Sequence, residues 1–311
     1  ERATTDNVAA HNLLLQGRFF ADRYAPGDSE RAIAAYEQAL KEDPGYALAW
    51  AELAWAEMWV RPADVQRAAN AAQRAIELRP DLAQAHATRG WYESLFGLDW
   101  EAADREFDKA LALEPQNMRA LYGKGRLARA LRRSDESLRY YHAVLERDPV
   151  NAFAITGLST TLIVLGRTAE AVQAARKALD VSPSIEEGHW YLAYALLWNG
   201  ELEAARREIE LEPIDSLRFH GIALIEGARH DQGAADAALQ RLLSVTDARK
   251  NYLIAAVYAN RHDVGAAISW LERARTAHNA DFSEIASDPA FGAIRSAPAF
   301  MAYLHGLKLP N

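Results

Sequence analysis

The sequence predicts an all-α fold in which one helical hairpin stacks on the next. Three observations carry this. Helix-ending prolines return at a nearly fixed interval: Pro44, Pro80, Pro115, Pro149 and Pro183 are 36, 35, 34 and 34 residues apart. A period of this length marks a chain built from repeated supersecondary units. Within a unit, small and apolar residues recur at i, i+3, i+4 and i+7, as in Ala68, Ala71, Ala72 and Ala75, the spacing of one helix face. No segment reads as a strand, and Gly and Pro sit at the joints between periodic stretches.

The units align position by position. With the closing proline as position 32, position 20 is small in all five: Ala32, Ala68, Ala103, Ser137 and Ala171. Position 24 holds Tyr36, Ala72, Phe107, Tyr141 and Ala175; position 27 holds Ala39, Ala75, Ala110, Val144 and Ala178. In the first helix, position 8 is Gly17, Ala54, Gly90, Gly125 and Ser159. Small residues let antiparallel helices approach, an aromatic fills the gap to the next unit, and proline stops the second helix because it lacks an N–H and clashes with the preceding turn.

This 34-residue pattern with its closing proline resembles the tetratricopeptide repeat (TPR) family. The resemblance covers about residues 8 to 277. It implies a right-handed superhelical solenoid of about eight helix pairs, spanning residues 1–280, with residues 281–311 as a C-terminal capping segment of the same domain. That reading overrules the soft expectation of two domains from length alone. Trp190 to Glu212 makes a sixth pair with a short second helix, Ser216 to Leu243 a seventh and Ala248 to Ala277 an eighth. The first unit carries an insertion around Arg23–Ser29, read as a turn with Ser29 or Asp28 as helix cap. The tail offers Phe291, Phe300, Met301 and Leu304 to cover the last apolar face.

Both ends, Asn12–Phe20 and residues 281–311, are similar to the TPR regions of bacterial signalling regulators. Those include winged-helix transcription regulators and class III adenylate cyclases. The first residues, Glu1 to Asp6, show neither an initiator Met nor an apolar leader, and read as a cut inside a longer chain.

Composition narrows the function. Lys and Arg number 35 against 43 Asp and Glu, a net charge of −8, which argues against nucleic-acid binding by this region. The absence of cysteine excludes disulfides, thiol nucleophiles and cysteine-held metals. No apolar run reaches the ~18–20 residues of a membrane span, and the expected location is cytoplasmic.

Motifs for chemistry fail on inspection. Gly123–Ala128 spells G-x-G-x-x-A, but it lies in a first helix without the strand that a dinucleotide site requires. His230-Asp231 and His262-Asp263 fall at interhelix turns, where a short polar residue serves as a cap. No H-E-x-x-H spacing and no G-x-S-x-G occurs. The expectation is a protein without catalytic residues, metal or cofactor.

The resemblance further implies that first helices line a concave groove through positions 2, 5, 9 and 12. The candidate binding residues there are Trp55, Trp59, Trp91, Arg119, Tyr122, Arg126, Arg129, Trp190, Tyr194, Trp198 and His220. Five of the eight tryptophans fall in this set, and aromatic and arginine residues concentrate at binding hot spots. Arg119, Arg126 and Arg133 recur every seven residues as one stripe suited to a carboxylate or phosphate. The expected partner is a protein or peptide. The alternative is a small-molecule receptor, for a sugar for example, or after that an enzyme with a cavity inside the solenoid and His220 as its acid–base group. No membrane partner is expected, and homo-oligomerisation is open, with the short helix near Glu208–Pro213 as one surface for it.

Overall fold

Helical hairpins form the body of the chain in a computed structural model that describes residues 5–23, 27–60, 65–247 and 249–310. Seventeen α-helices and no β-strand occur among the described residues. The chain divides into two compact units between Gly123 and Lys124.

In the first unit, α1 (Val8–Arg23) pairs with α2 (Asp28–Glu42), α3 (Ala47–Val60) with α4 (Val65–Leu78), and α5 (Ala83–Tyr92) with α6 (Trp100–Leu113). Helix α2 packs on α3, α4 on α5, and α3 lies beside α5. The small position 8 is a steric requirement. A Cβ on Gly17 would come within 2.3 Å of the Tyr36 ring, and one on Gly90 within 2.7 Å of Phe107. The position-24 aromatic also reaches forward, since a Cβ on Gly123 would meet Phe107 at 2.4 Å. Residues at positions 20 and 27 are buried throughout this unit.

Two details differ from expectation or explain it. Neither Ser29 nor Asp28 caps α2. The cap is Gly27, at φ 80°, and makes no side-chain hydrogen bond. Asp28 is instead buried inside the helix between the guanidinia of Arg23 and Arg31, so its carboxylate is spent on ion pairs. Residues 24–26 of the insertion, Ala248 and residues 1–4 lie outside the described residues. The 35-residue interval between Pro80 and Pro115 contains a π-helical turn, Glu93–Gly97, where a wider turn accommodates one extra residue.

Helix α7 (Met118–Ala130) contains the division between the units and leads to α8 (Ser134–Leu145). The second unit then pairs α9 (Ala152–Val164) with α10 (Thr168–Val181), α11 (Gly188–Trp198) with α12 (Leu202–Ile209), α13 (Asp215–Ala228) with α14 (Gln232–Ser244), and α15 (Lys250–Asn260) with α16 (Val264–Thr276). The Gly-rich motif is a packing device: a Cβ on Gly125 would touch Tyr141 at 3.0 Å. His230 and His262 both take the left-handed conformation, at φ 62°, and the following Asp231 and Asp263 cap α14 and α16. Arg133 leaves the proposed stripe, because α7 stops at Ala130 and a left-handed Arg132 turns the chain before α8. Helix α12 is short, as its sequence suggested, and leaves Leu211 exposed.

After α16 the chain makes two 3₁₀ turns, Ala280–Glu284 and Pro289–Ile294, and ends in α17 (Pro298–Gly306). Asn279 and Asp288 cap the two turns, and Pro298 occupies the first turn of α17. The second turn packs on α15 and α17 packs on α16. Phe291, Phe300 and Leu304 are fully buried.

Candidate functional site

In the first unit, the exposed side of the first helices carries an aromatic cluster. Trp55 and Trp59 lie one turn apart on α3, with ring centroids 5.5 Å apart. Both rings meet Trp91 of α5 edge-on, at 5.6 and 6.0 Å. Trp91 in turn stacks on Tyr122 at 5.6 Å. Trp91 is only 2% exposed and donates its Nε1–H to the Arg119 carbonyl at 2.9 Å. Trp55 and Tyr122 are half-buried, and Trp59 is 47% exposed. Trp91 is therefore the floor of the cluster and Trp59 its open edge.

The charges beside this cluster are already matched. Glu52 lies between two guanidinia, with Arg18 at 2.9 Å and Arg119 at 2.8 Å. Burial pushes the Glu52 carboxyl up, but Arg119 and Arg18 outweigh this and hold it below the usual carboxylate range. Arg119 also donates to Thr88 Oγ1 at 2.8 Å and covers the Trp55 ring at 4.3 Å. A guanidinium held by Glu52 and Thr88 in this way serves as scaffolding for the Trp55 ring.

In the second unit the corresponding side is filled by the chain's own tail. Glu284 of the first 3₁₀ turn receives both inner arginines: Arg126 Nε lies 3.1 Å from Oε1, and Arg129 grips the carboxylate in two-pronged fashion at 3.0 and 3.1 Å. Burial raises this carboxyl, yet Arg129 and Arg126 together keep it below its ordinary value. Arg126 also donates to the Ala280 carbonyl and to Ser283. Further along, Asp288 accepts from Tyr194 of α11, from Tyr252 of α15 at 2.7 Å and from the Ala290 N–H at 2.9 Å. Burial and the Asp288 carboxylate push both phenols well above their ordinary range.

Phe282, Ile285, Phe291 and Ile294 of the same segment are fully buried. Burying each stabilises the fold by about 1.5–3 kcal/mol, so the segment is an integral part of the unit. Arg249 adds a further clamp. It pairs with Glu187, which holds a left-handed φ of 65° before α11. Burial, with Asp281 of the tail and Glu186 nearby, pushes the Glu187 carboxyl up to about 6 against the opposing pull of Arg249.

The remaining candidates form a smaller stack. Trp190 lies parallel to Tyr194, 4.7 Å away, and donates its Nε1–H to His220 Nδ1 at 3.2 Å. Trp198 meets Tyr194 edge-on at 5.9 Å. Accepting at Nδ1 places the proton of neutral His220 on Nε2. Burial alone holds the imidazole at about 3, against an ordinary 6.5. Among the described residues no carboxylate is hydrogen-bonded to it, whereas the acid–base role weighed from sequence calls for an orienting partner.

A pH prediction follows with a definite sign. The unfolded chain takes up a proton at residue 220 below pH 6.5, and the folded chain refuses it until about pH 3. The stability this neutral imidazole contributes is full above pH 6.5 and is lost as pH falls. His220→Gln keeps an acceptor for Trp190 and removes the titration. Between pH 6.5 and 5 the wild-type chain should lose about 2 kcal/mol more unfolding free energy than this variant. Urea unfolding at each pH reads the difference, and parallel curves would contradict the assignment.

The sequence matches the tetratricopeptide repeat over residues 21–58, 95–152 and 156–215, just over half of the chain. The chain belongs to the tetratricopeptide repeat family. Among characterised proteins, it is 32% identical over 108 residues to the tetratricopeptide repeat and J domain-containing co-chaperone DNJ1 of Fusarium oxysporum f. sp. lycopersici. That match covers 33% of this chain and spans about a fifth (21%) of the length of the co-chaperone. Among solved structures, the human IFIT1 dimer with PPP-AAAA aligns with a TM-score of 0.64 at 15% identity, over 85% of this chain and 72% of its own. Yeast Tom70 aligns at 0.58 and 17% identity, over 98% and 69%. At such identities the likeness is one of fold. No helix among the described residues is long and apolar enough to cross a membrane.

The acidic partners Glu52, Glu284 and Asp288 were absent from the sequence-derived candidates. Only Asp288 carried a local signal: Asp-Pro followed by an apolar turn is a capping pattern.

Proposed function

We propose that this TPR chain is a non-catalytic scaffold that captures a protein or peptide partner on the aromatic side of its first unit. The observation that supports this best is the half-exposed Trp59, held with Trp55 over a buried Trp91 floor. Rigid aromatic edges of this kind offer large contact area with little entropy to lose. Because Arg18 and Arg119 share Glu52, the anchor that suits this surface is apolar or aromatic rather than a phosphate or an acidic tail. The co-chaperone relationship, though confined to a fifth of that protein, points the same way.

We further propose that the chain serves as the cytoplasmic partner-binding part of a larger bacterial signalling or transcription regulator. The support is the similarity of Asn12–Phe20 and of residues 281–311 to the two ends of such regions. Reading the gene on either side of this sequence tests that role, and a reading frame with no regulator or output domain would remove it.

The binding test uses a displayed library of random peptides selected on the chain. Enriched peptides should share a bulky apolar anchor, and Trp59→Ala should weaken them tenfold or more, about 1.4 kcal/mol, while leaving the chain folded at a cost of about 1–2 kcal/mol from its ring contacts with Trp55 and Trp91. Peptides that bind the variant equally well would exclude this surface.

A further inference from the structure

Position 4 of the first helix, four residues before the small position 8, is apolar in four of the five aligned repeats: Leu13, Trp50, Leu121 and Ile155. The third repeat has His86 there, only 1% exposed. Position 23 of the second helix changes with it. It holds Ala35, Ala71, Tyr140 and Ala174 in the other four repeats and Glu106 in the third. The sixth hairpin brings the same two residue types together, with His189 Nδ1 2.6 Å from Glu208 Oε1.

Both ring nitrogens of His86 meet acceptors. Nδ1 lies 2.6 Å from Glu106 Oε2 and Nε2 lies 2.9 Å from the Pro80 carbonyl oxygen. Trp50 donates to the Pro44 carbonyl at 3.0 Å in the preceding repeat, so His86 reproduces that bond and adds a second one to α6. Neutral imidazole has one N–H and one lone pair, while a carbonyl and a carboxylate only accept. Both bonds therefore form only when the pair holds an extra proton. Glu106 keeps 29% of its side chain exposed. Burial raises its carboxyl, yet the bond and charge of His86, with Lys109 and Arg89, hold it below its ordinary range. The extra proton belongs on the ring. The charged groups around this pair are thus Lys109 of α6 and Arg89 of α5. Arg119 of α7 meets α5 at Thr88 and is paired with Glu52. Among the described residues, α3 and α4 give His86 no ion pair or hydrogen bond.

We propose that His86 is a proton-dependent clamp, held as imidazolium in the folded chain, where it ties α5 to α6 and to the turn before it. Loss of either ring proton turns one bond into a contact between two acceptors. The clamp's contribution to stability is full where the unfolded chain also carries the proton, and it is lost as pH rises. That is the opposite sign to His220. The same helix carries Trp91, so the floor of the aromatic cluster sits on a helix whose docking depends on this proton.

Nitrogen-15 NMR of the histidine rings at about pH 7 tests the charge on the wild-type chain. Both nitrogens of His86 should show the shift of a protonated nitrogen. Glu106→Gln, at a partly exposed position, should return one of them to an acceptor nitrogen. Urea unfolding tests the consequence. Between about pH 5.5 and 8.5 the folding equilibrium constant of the wild-type chain should fall about tenfold relative to His86→Gln, which keeps a donor and cannot titrate. His220 is present in both chains and cancels. The ring spectrum of the wild-type chain decides the charge whether or not His86→Gln folds. A His86 ring with one protonated nitrogen at neutral pH, or parallel stability curves, overturns the proposal.

Discussion

Replacing Glu284 with alanine should lower the unfolding free energy by about 3–5 kcal/mol, measured by urea denaturation at neutral pH. The carboxylate is the anion that Arg126 and Arg129 share, and both guanidinia are largely buried. They also donate to the carbonyls of Ala280 and Gly157 and to the hydroxyls of Ser283, Thr160 and Tyr141. Removing Glu284 takes the shared carboxylate from two largely buried cations, and breaking such a pair costs more than the pair itself contributes. Glu284→Gln should fall between, since it keeps the shape and loses the charge. In a double-substitution cycle with Arg129→Ala the costs should be strongly non-additive, with a coupling of at least 1 kcal/mol. Additive losses would mean that the tail is not held by this charge.

Trp91→Ala should destabilise the first unit by a similar amount, about 3–5 kcal/mol. The indole is enclosed by Trp55, Trp59, Phe107 and Tyr122, and its N–H satisfies the Arg119 carbonyl. Truncation opens a cavity and leaves that carbonyl without its indole donor, two costs in the same place. Trp91→Phe should cost less, because it retains most of the volume and gives up the hydrogen bond. The contrast with Trp59 is the informative part. Two tryptophans whose rings touch divide into one that holds the fold and one that stays open to solvent.

That contrast shows where sequence reading stops. The hairpins were legible because their causes are local: a glycine at position 8 is needed where Tyr36 or Phe107 presses on the helix, and the need repeats every 34 residues or so. That Trp55, Trp59 and Trp91 would lie together was legible too, since helical phase and the repeat place them side by side. Depth was not. Trp91 and Trp59 both fit the pattern, and only the packing of α5 between its neighbours buries one of them.

The tail was harder still. Its signals are present: Asn279, Asp288 and Ala297 each begin a turn nine residues after the last, and Phe282, Phe291 and Phe300 follow at the same interval. They announce three short helical turns, two of them capped by a side chain, with one buried aromatic apiece. They do not say that Glu284 will meet arginines more than 150 residues earlier in the chain. The arginine stripe, read as an anion site, proves to contain residues whose anions the chain itself provides, from α3 in one unit and from the tail in the other.

The central claim is that residues 280–294 are built into the second unit, tied to Arg126, Arg129, Tyr194 and Tyr252. Amide hydrogen exchange measures this directly. The amides of Phe282, Ser287, Asp288 and Phe291, each bonded within the 3₁₀ turns or their caps, should be protected to the same degree as those of α11 and α15. Exchange of these amides at the rate of an open loop, with the helices still protected, would contradict the account.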